Sequence, residues 1–359
     1  MALKIGIVGL PNVGKSTLFN ALTRSKAAQA ANYAFCTIDP NIGVVEVPDL
    51  RLKKLEELVN PANTVPTTIE FVDVAGLVKG ASKGEGLGNQ FLSNIRECHA
   101  IAHVIRGFED ENVVHVHGKI DPQGDVEIIE TELILADLKT VEKRLAKALS
   151  DAKSGDAKLK AYAERIGQLK EHLESGQTAD KFATEEDTRE LLRDLHLLTM
   201  KPTLYVMNIH ENQIHDPIHE KLNVDPDRIL KISAKVEEDL VGFSDEETNA
   251  YLKELGLAES GLNALIRSAY NSLGLVTFFT AGPKEARAWT IKKETKADKA
   301  ASEIHTDFEK GFIKAEVIPY EKYIEAGGEI KAKEKGFMQL SGRDYIVQDG
   351  DVIYFHVKA

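Results

Sequence analysis

The residues best suited to chemistry stand near the amino end, where Gly9-Leu10-Pro11-Asn12-Val13-Gly14-Lys15-Ser16 fits the pattern GxxxxGKS/T in full. An apolar run from Lys4 to Val8 precedes it as a strand, and Thr17 to Thr23 follows as the start of a helix. In that setting glycine lets main-chain amides turn inward around a phosphate, and the helix N-terminus adds a favourable dipole. Asn12, Val13, Gly14, Lys15, Ser16 and Thr17 are therefore the expected phosphate-binding set. Lys15 is placed to neutralise charge on the β- and γ-oxygens of a nucleoside triphosphate and is the first catalytic candidate. Ser16 offers a hard oxygen to Mg²⁺, an ion that takes few protein ligands and much of its shell from phosphate.

Further candidates fall into two groups. Asp73-Val-Ala-Gly76 closes a β-rich run as DxxG; the carboxylate of Asp73 suits a magnesium-bound water, and the Gly76 N–H suits the γ-phosphate. Thr37 lies between the two motifs, where a threonine can complete the Mg²⁺ shell, so the expected metal set is Ser16, Thr37 and Asp73. Gly80, Gly84, Gly86 and Gly88 follow closely and suit a segment ordered by a γ-phosphate contact. On the base side, GTP-specific proteins of this class place NKxD after the fifth core strand, whereas this chain has Asn208-Ile209-His210-Glu211. Asn208 is retained, but the Lys and the guanine-reading Asp are not. Loss of a buried acceptor relaxes base choice by as much as about 10⁴-fold, which makes adenine a candidate. Ile209 is expected along the base face, Asn208 at its edge, and Glu211 as a longer substitute for the missing Asp. Ser233-Ala234-Lys235 matches the short SAK motif whose backbone supports the base.

These residues must be held by a scaffold, and the 359-residue length sets a prior of roughly two domains. With 28% charged and 43% hydrophobic residues the composition is that of a packed soluble protein, with no transmembrane segment and no signal peptide. Cys36 and Cys98 are far apart and outside any metal-binding cluster, which points to a reducing cytoplasm. The net charge of −12 argues against binding DNA or RNA by overall charge, so any RNA contact needs a local basic patch.

Alternating strands and helices predict a parallel α/β sheet, with strands at Lys4 to Val8, Thr68 to Asp73, Ile101 to Ile105, Thr203 to Asn208 and Ile229 to Ser233. Between about 125 and 200 the texture is helical. Ile128, Leu135, Leu138, Leu145 and Leu149 form one stripe, and Leu159, Tyr162, Ile166, Leu169 and Leu173 another, with a turn at Ser154-Gly155-Asp156. They read as an inserted antiparallel hairpin, the alternative being two helices laid on the sheet. Short β-rich runs after about 276, around a helix at Ala297 to Lys310, predict a small α+β module. Basic stretches at Lys292-Lys293 to Lys299 and at Lys331 to Lys335 are candidates to meet RNA phosphates, although a charge run is usually only a solvated face.

Taken together, Gly9-Leu-Pro-Asn-Val-Gly-Lys-Ser, Phe35-Cys-Thr-Ile-Asp-Pro-Asn41, Asp73-Val-Ala-Gly-Leu-Val-Lys-Gly-Ala81 and Gly86-Leu-Gly-Asn-Gln-Phe-Leu resemble the YchF subfamily of Obg-related P-loop proteins, over essentially the full length. The resemblance implies a Ras-like P-loop nucleotide domain at 1–124 and 201–275, a coiled-coil hairpin arm at 125–200, and a C-terminal β-grasp TGS domain at 276–359. It also implies ATP preference over GTP and association with the ribosome; the expected partner is the large subunit, with rRNA contacts through the TGS domain or the helical arm. Ala34 departs from the proline expected in the family's Asn-Tyr-Pro-Phe pattern. Leu77 stands where Ras-type enzymes carry a water-orienting glutamine. The resemblance points instead to His115, with His117 as a weaker candidate, as the residue that positions water. Asn12 occupies the place where some P-loop proteins bind K⁺. Competing readings are a GTPase, a small-molecule phosphotransferase and a module whose nucleotide is structural.

Overall fold

A computed structural model describes residues 3–25, 41–74, 87–109, 120–217 and 222–358, with the backbone alone at 87–90. Thr37, Gly76, Leu77, His115 and His117 lie outside the described residues. The chain packs as two compact units, one of Met1–Lys26, Tyr33–Gly43 and Glu70–Ala264, the other of Ala27–Asn32, Val44–Ile69 and Leu265–Ala359.

The first unit is organised by a sheet of six strands, β1 (Lys4–Val8), β2 (Ile42–Glu46), β4 (Thr68–Asp73), β5 (Ala100–Arg106), β6 (Thr203–Asn208) and β7 (Ile229–Ile232), in the order β2-β4-β1-β5-β6-β7. β1 runs parallel to β4 and β5, β5 to β6, and β6 to β7. Every residue of β5 is buried, as befits a central parallel strand covered on both faces. β7 stops one residue short of the expected Ser233, because the Ser233 hydroxyl accepts from Val236 N and caps the next helix. β2 is absent from the expected strands; it is short and carries Gly43, so its pattern is weak.

The inserted region begins with a long helix, Pro122–Asp151, started by the Asp121 carboxylate accepting from Gly124 N and by Pro122 in the first turn. Gly155 adopts φ 87 at the turn, and the Asp156 carboxylate caps the second helix, Ala157–Glu174. The seam between them differs from the expected stripe. Leu135, Leu149 and Leu159 are exposed, whereas Ile134 and Val141 join Ile166, Leu169 and Leu173, with Leu138, Leu145 and Tyr162 packed against them as expected. Ala179, Ala183, Leu192, Leu195 and Leu197 complete this cluster, so the hairpin core includes the chain that returns toward β6. Asp137 secures that return. Fully buried, it accepts from Leu198 N and Thr199 N at 2.8 Å each and from the Thr199 hydroxyl at 2.7 Å. Among the described residues no helix is long and apolar enough to cross a membrane.

The second unit has a mixed sheet made of β3 (Asn63–Val65), β8 (Leu275–Ala281), β9 (Glu285–Lys292), β10 (Phe312–Pro319), β11 (Gln339–Ser341) and β12 (Asp351–Val357), in the order β11-β10-β12-β8-β9-β3. The central pair β12/β8 is parallel and its flanking pairs are antiparallel. Helix Ala297–Ile304 lies across one face, burying Ala297, Ala300 and Ala301 against Phe278, Ala315 and Phe355; this is the β-grasp arrangement. The helix expected to run to Lys310 breaks at His305, which is extended and caps Thr306–Gly311 through its ring nitrogen. The opposite face holds Leu52 and Leu55 of helix Leu50–Val59 against Phe279, Ala288 and Tyr323. Between β2 and β4 the chain thus packs with the carboxyl-terminal module rather than with the parallel sheet.

Replacing Asp137 by Ala leaves two main-chain donors and a hydroxyl buried without acceptors. Urea unfolding should show a loss of about 3 kcal/mol, with Asp137→Asn recovering part of it.

Candidate functional site

The carboxyl ends of β1, β4, β5 and β6 bring the site together, the edge at which open α/β sheets bind ligands. Directly after β1, Gly9 passes so close to β5 that a Cβ there would collide with the Val104 carbonyl. Asn12 and Gly14 both take positive φ, 63 and 93, and the helix Lys15–Arg24 starts with no side chain capping its first turn. First-turn amides uncapped by a side chain, behind a glycine turn, are suited to an anion.

Three charged or polar side chains converge beneath this loop. Lys15 is buried, and its Nζ donates to the Leu10 carbonyl at 2.6 Å. Asp73, at the end of β4 and opposite Ile7 of β1, accepts from the Ser16 hydroxyl. Burial holds the Lys15 ammonium below its ordinary range, while the Asp73 charge pulls it back. Burial likewise raises Asp73, opposed by the Lys15 charge and the Ser16 hydrogen bond. Each charge offsets part of the desolvation of the other. A hydroxyl and a carboxylate side by side are the hard oxygen donors that Mg²⁺ takes, so these residues fit that ion.

The base side differs from expectation in a defined way. Asn208 is buried, with Nδ2 donating to the Val13 carbonyl at 2.9 Å and Oδ1 accepting from Ala234 N at 3.1 Å. Its amide therefore braces the phosphate loop to the loop after β7, where the sequence suggests the edge of a base. Ile209, expected on the base face, is 3% exposed and packs among Ile105, Val126, Met207 and Leu222. Its N–H donates to the Ile232 carbonyl at 2.9 Å, which continues the β6/β7 pairing and turns the side chain inward. Glu211 is exposed, and its charge adds to burial in holding the Tyr251 phenol above its ordinary range. Ser233 caps helix Ala234–Leu240, which presents the Ala234 N–H to Asn208.

Two residues escape the sequence reading although both interrupt the apolar β5 run. His103 pairs in register with Val8 and is 2% exposed, and its Nε2 has no hydrogen-bond partner among the described residues. Burial, aided by the Lys15 charge, pushes its pKa down to about 3 from 6.5, which keeps it neutral. Arg106 is also buried; its Nε donates to the Phe108 carbonyl at 3.0 Å, and the guanidinium lies over the Phe108 ring.

A strand, a GxxxxGKS loop, an uncapped helix start and a Lys–Ser–Asp cluster at the end of the neighbouring strand define a P-loop nucleoside triphosphatase. Two family models match the chain: YchF-GTPase_C, described as a protein of unknown function, over residues 275–358, and one described as a 50S ribosome-binding GTPase over residues 4–158. Bacillus subtilis "Ribosome-binding ATPase YchF" is 53% identical, and the protein of that name from Escherichia coli O157:H7 is 51% identical, with 99% of each chain covered in both cases. The structure of the Schizosaccharomyces pombe YchF GTPase superposes with a TM-score of 0.88 at 37% identity, covering 99% of this chain and 97% of that one. The chain belongs to the YchF family.

Two outcomes follow from the geometry. Asn208→Ala removes both braces, and calorimetry should show nucleotide affinity reduced by roughly tenfold to a hundredfold, at about 1–3 kcal/mol for buried groups left unpaired. His103 takes up a proton in the unfolded chain below pH 6.5 but not in the folded one, so the stability tied to its neutrality is present above that pH and falls as the pH drops toward 3. Between pH 7 and pH 5 the wild type should lose about 2 kcal/mol more than His103→Phe in urea unfolding.

Proposed function

We propose that this protein is a Mg²⁺-dependent, ATP-hydrolysing switch that associates with the ribosome, through its large subunit, in translation or stress regulation. Ribosome association is supported by the names of the curated relatives, and the large subunit by the description of the family model over residues 4–158. The observation that carries the ATP reading is the β6 end: Asn208 braces the phosphate loop, while the place of the guanine-reading Asp is held by Glu211, an exposed residue. Without that acceptor, the buried polar discrimination that favours guanine is lost.

In this reading the nucleotide domain is drawn from residues 1–124 and 201–275, less the excursion between β2 and β4 that packs with the carboxyl-terminal module, with 125–200 the arm and 276–359 the TGS domain. The amides of Asn12 to Thr17 hold the phosphates, and Gly76 senses the γ-phosphate. Ser16, Thr37 and Asp73 hold Mg²⁺ directly or through water; when bound, the ion compensates charge on the β- and γ-oxygens. Lys15 leaves the Leu10 carbonyl for the phosphate oxygens, a short swing for a flexible stem whose ammonium is incompletely solvated. A water oxygen bonds to the γ-phosphorus as the bond to the β–γ bridging oxygen breaks; one water proton stays on the phosphate formed and the other passes to solvent, giving ADP and hydrogen phosphate. With Leu77 in the glutamine position, His115 orients that water, and intrinsic turnover is slow. Asn12 is the candidate K⁺ contact. Ile209, Ser233 and Ala234 shape the base pocket from behind, and Glu211 lies at its rim.

A second reading, a GTP-specific switch on the same partner, is favoured by the word GTPase, which the family model's description and the name of the S. pombe protein both carry. Calorimetric titration with Mg²⁺ and either ATP or GTP, in K⁺ and then in Na⁺, separates the two. ATP should bind about tenfold tighter or better. Lys15→Ala should lose hydrolysis of either nucleotide. Tenfold tighter GTP binding would reverse the base assignment.

A further inference from the structure

Helix Leu87–Glu97, which follows the glycine-rich stretch after Asp73, and the first helix of the insertion meet along an open cleft of about 470 Å³. Ser93 and Arg96 line one side, and Lys139, Thr140 and Lys143 the other, with no carboxylate among the described lining residues. Arg96 Nη2 donates to the Thr140 hydroxyl at 3.3 Å, which holds the guanidinium at the rim. Lys139 and Lys143 stand one turn apart on the same helix face, and Lys147 continues the row. Lys143 makes no ion pair among the described residues. Glu142 lies in the field of Lys170 on the second hairpin helix, and buried Asp137, whose oxygens are taken by Leu198 and Thr199, also lies in the field of Arg96. In a chain of net charge −12, a cleft whose described lining holds three cations, two hydroxyls and no acid is a local reversal of sign.

Arginine, lysine and hydroxyl side chains are the groups that contact nucleic-acid phosphates without reading sequence. A row of cations along one helix face suits a ligand whose charge repeats along its length. We propose that this cleft seats the phosphodiester backbone of ribosomal RNA, an inference that rests on the ribosome association proposed above. The helix carrying Arg96 begins at the end of the segment that starts with Asp73 and Gly76, so RNA held there lies one helix away from the residues assigned to the γ-phosphate.

The test is sedimentation with purified 70S ribosomes across a salt series, paired with filter binding to protein-free 23S rRNA. Lys139→Glu with Lys143→Glu should weaken both about tenfold or more. The slope of log affinity against log salt should fall by about 1–2, at roughly 0.7–0.9 per phosphate contact. Lys139→Gln with Lys143→Gln, a milder change at exposed positions, should give a smaller loss of the same kind, and an unchanged melting midpoint shows that the fold is intact. Unaltered affinity and slope in both variants would overturn the cleft assignment and leave ribosome association standing. A loss on ribosomes with none on protein-free RNA would also overturn it and point to an acidic ribosomal protein. Wild-type protein that ignores both probes at low salt would remove the ribosome reading itself.

Discussion

The site depends on a single buried amide. Asn208 spends its nitrogen on the Val13 carbonyl and its oxygen on the Ala234 N–H, so one side chain fixes the phosphate loop and the loop after β7 at the same time. Gly14 is the complement of that brace, because a Cβ on it would run into the Asn208 amide. The two positions constrain each other: the loop can close over a polyphosphate only if residue 14 has no side chain, and the amide can reach Val13 only through the space so left. A buried polar group used at both ends is costly to disturb, which gives the site its stiffness.

Under the loop, electrostatics are balanced by burial. Lys15 and Asp73 are each disfavoured as ions by desolvation and each favoured by the other, with Ser16 contributing a hydrogen bond. Such pairs add little net stability, but they keep charge in readiness where a phosphate and its metal must be met. His103 in the adjacent strand stays neutral under the same burial and does not add a second positive charge to the floor.

Much of this is legible in the sequence for identifiable reasons. A strand, a glycine turn and a helix start leave local marks, so the phosphate loop and the placement of Asp73 can be read from spacing alone. Central strands such as β5 announce themselves as mainly apolar runs, here broken only by His103 before the closing Arg106. Features set by long-range packing are not legible. The hairpin seam passes through Ile134 and Val141, leaving Leu135 and Leu149 exposed, because the long helix must satisfy the sheet and the returning chain as well as its partner. Ile209 turns into the core because its N–H extends the β6/β7 pairing, a bond no motif encodes. The bracing role of Asn208 depends on Val13 and Ala234, the first of them nearly two hundred residues away.

The placement of Val44–Ile69 bears on how the molecule can be dissected. After β2 the chain leaves the parallel sheet, lays Leu52 and Leu55 onto Phe279 and Tyr323, adds β3 beside β9, and returns through β4 to Asp73. Arg51 is locked there between Asp49 and Asp349. A cut near residue 275 is thus no natural seam: the amino-terminal fragment would carry away a strand and an apolar helix face made for the other half, and the β-grasp fragment would be left with a bare sheet edge and an uncovered patch.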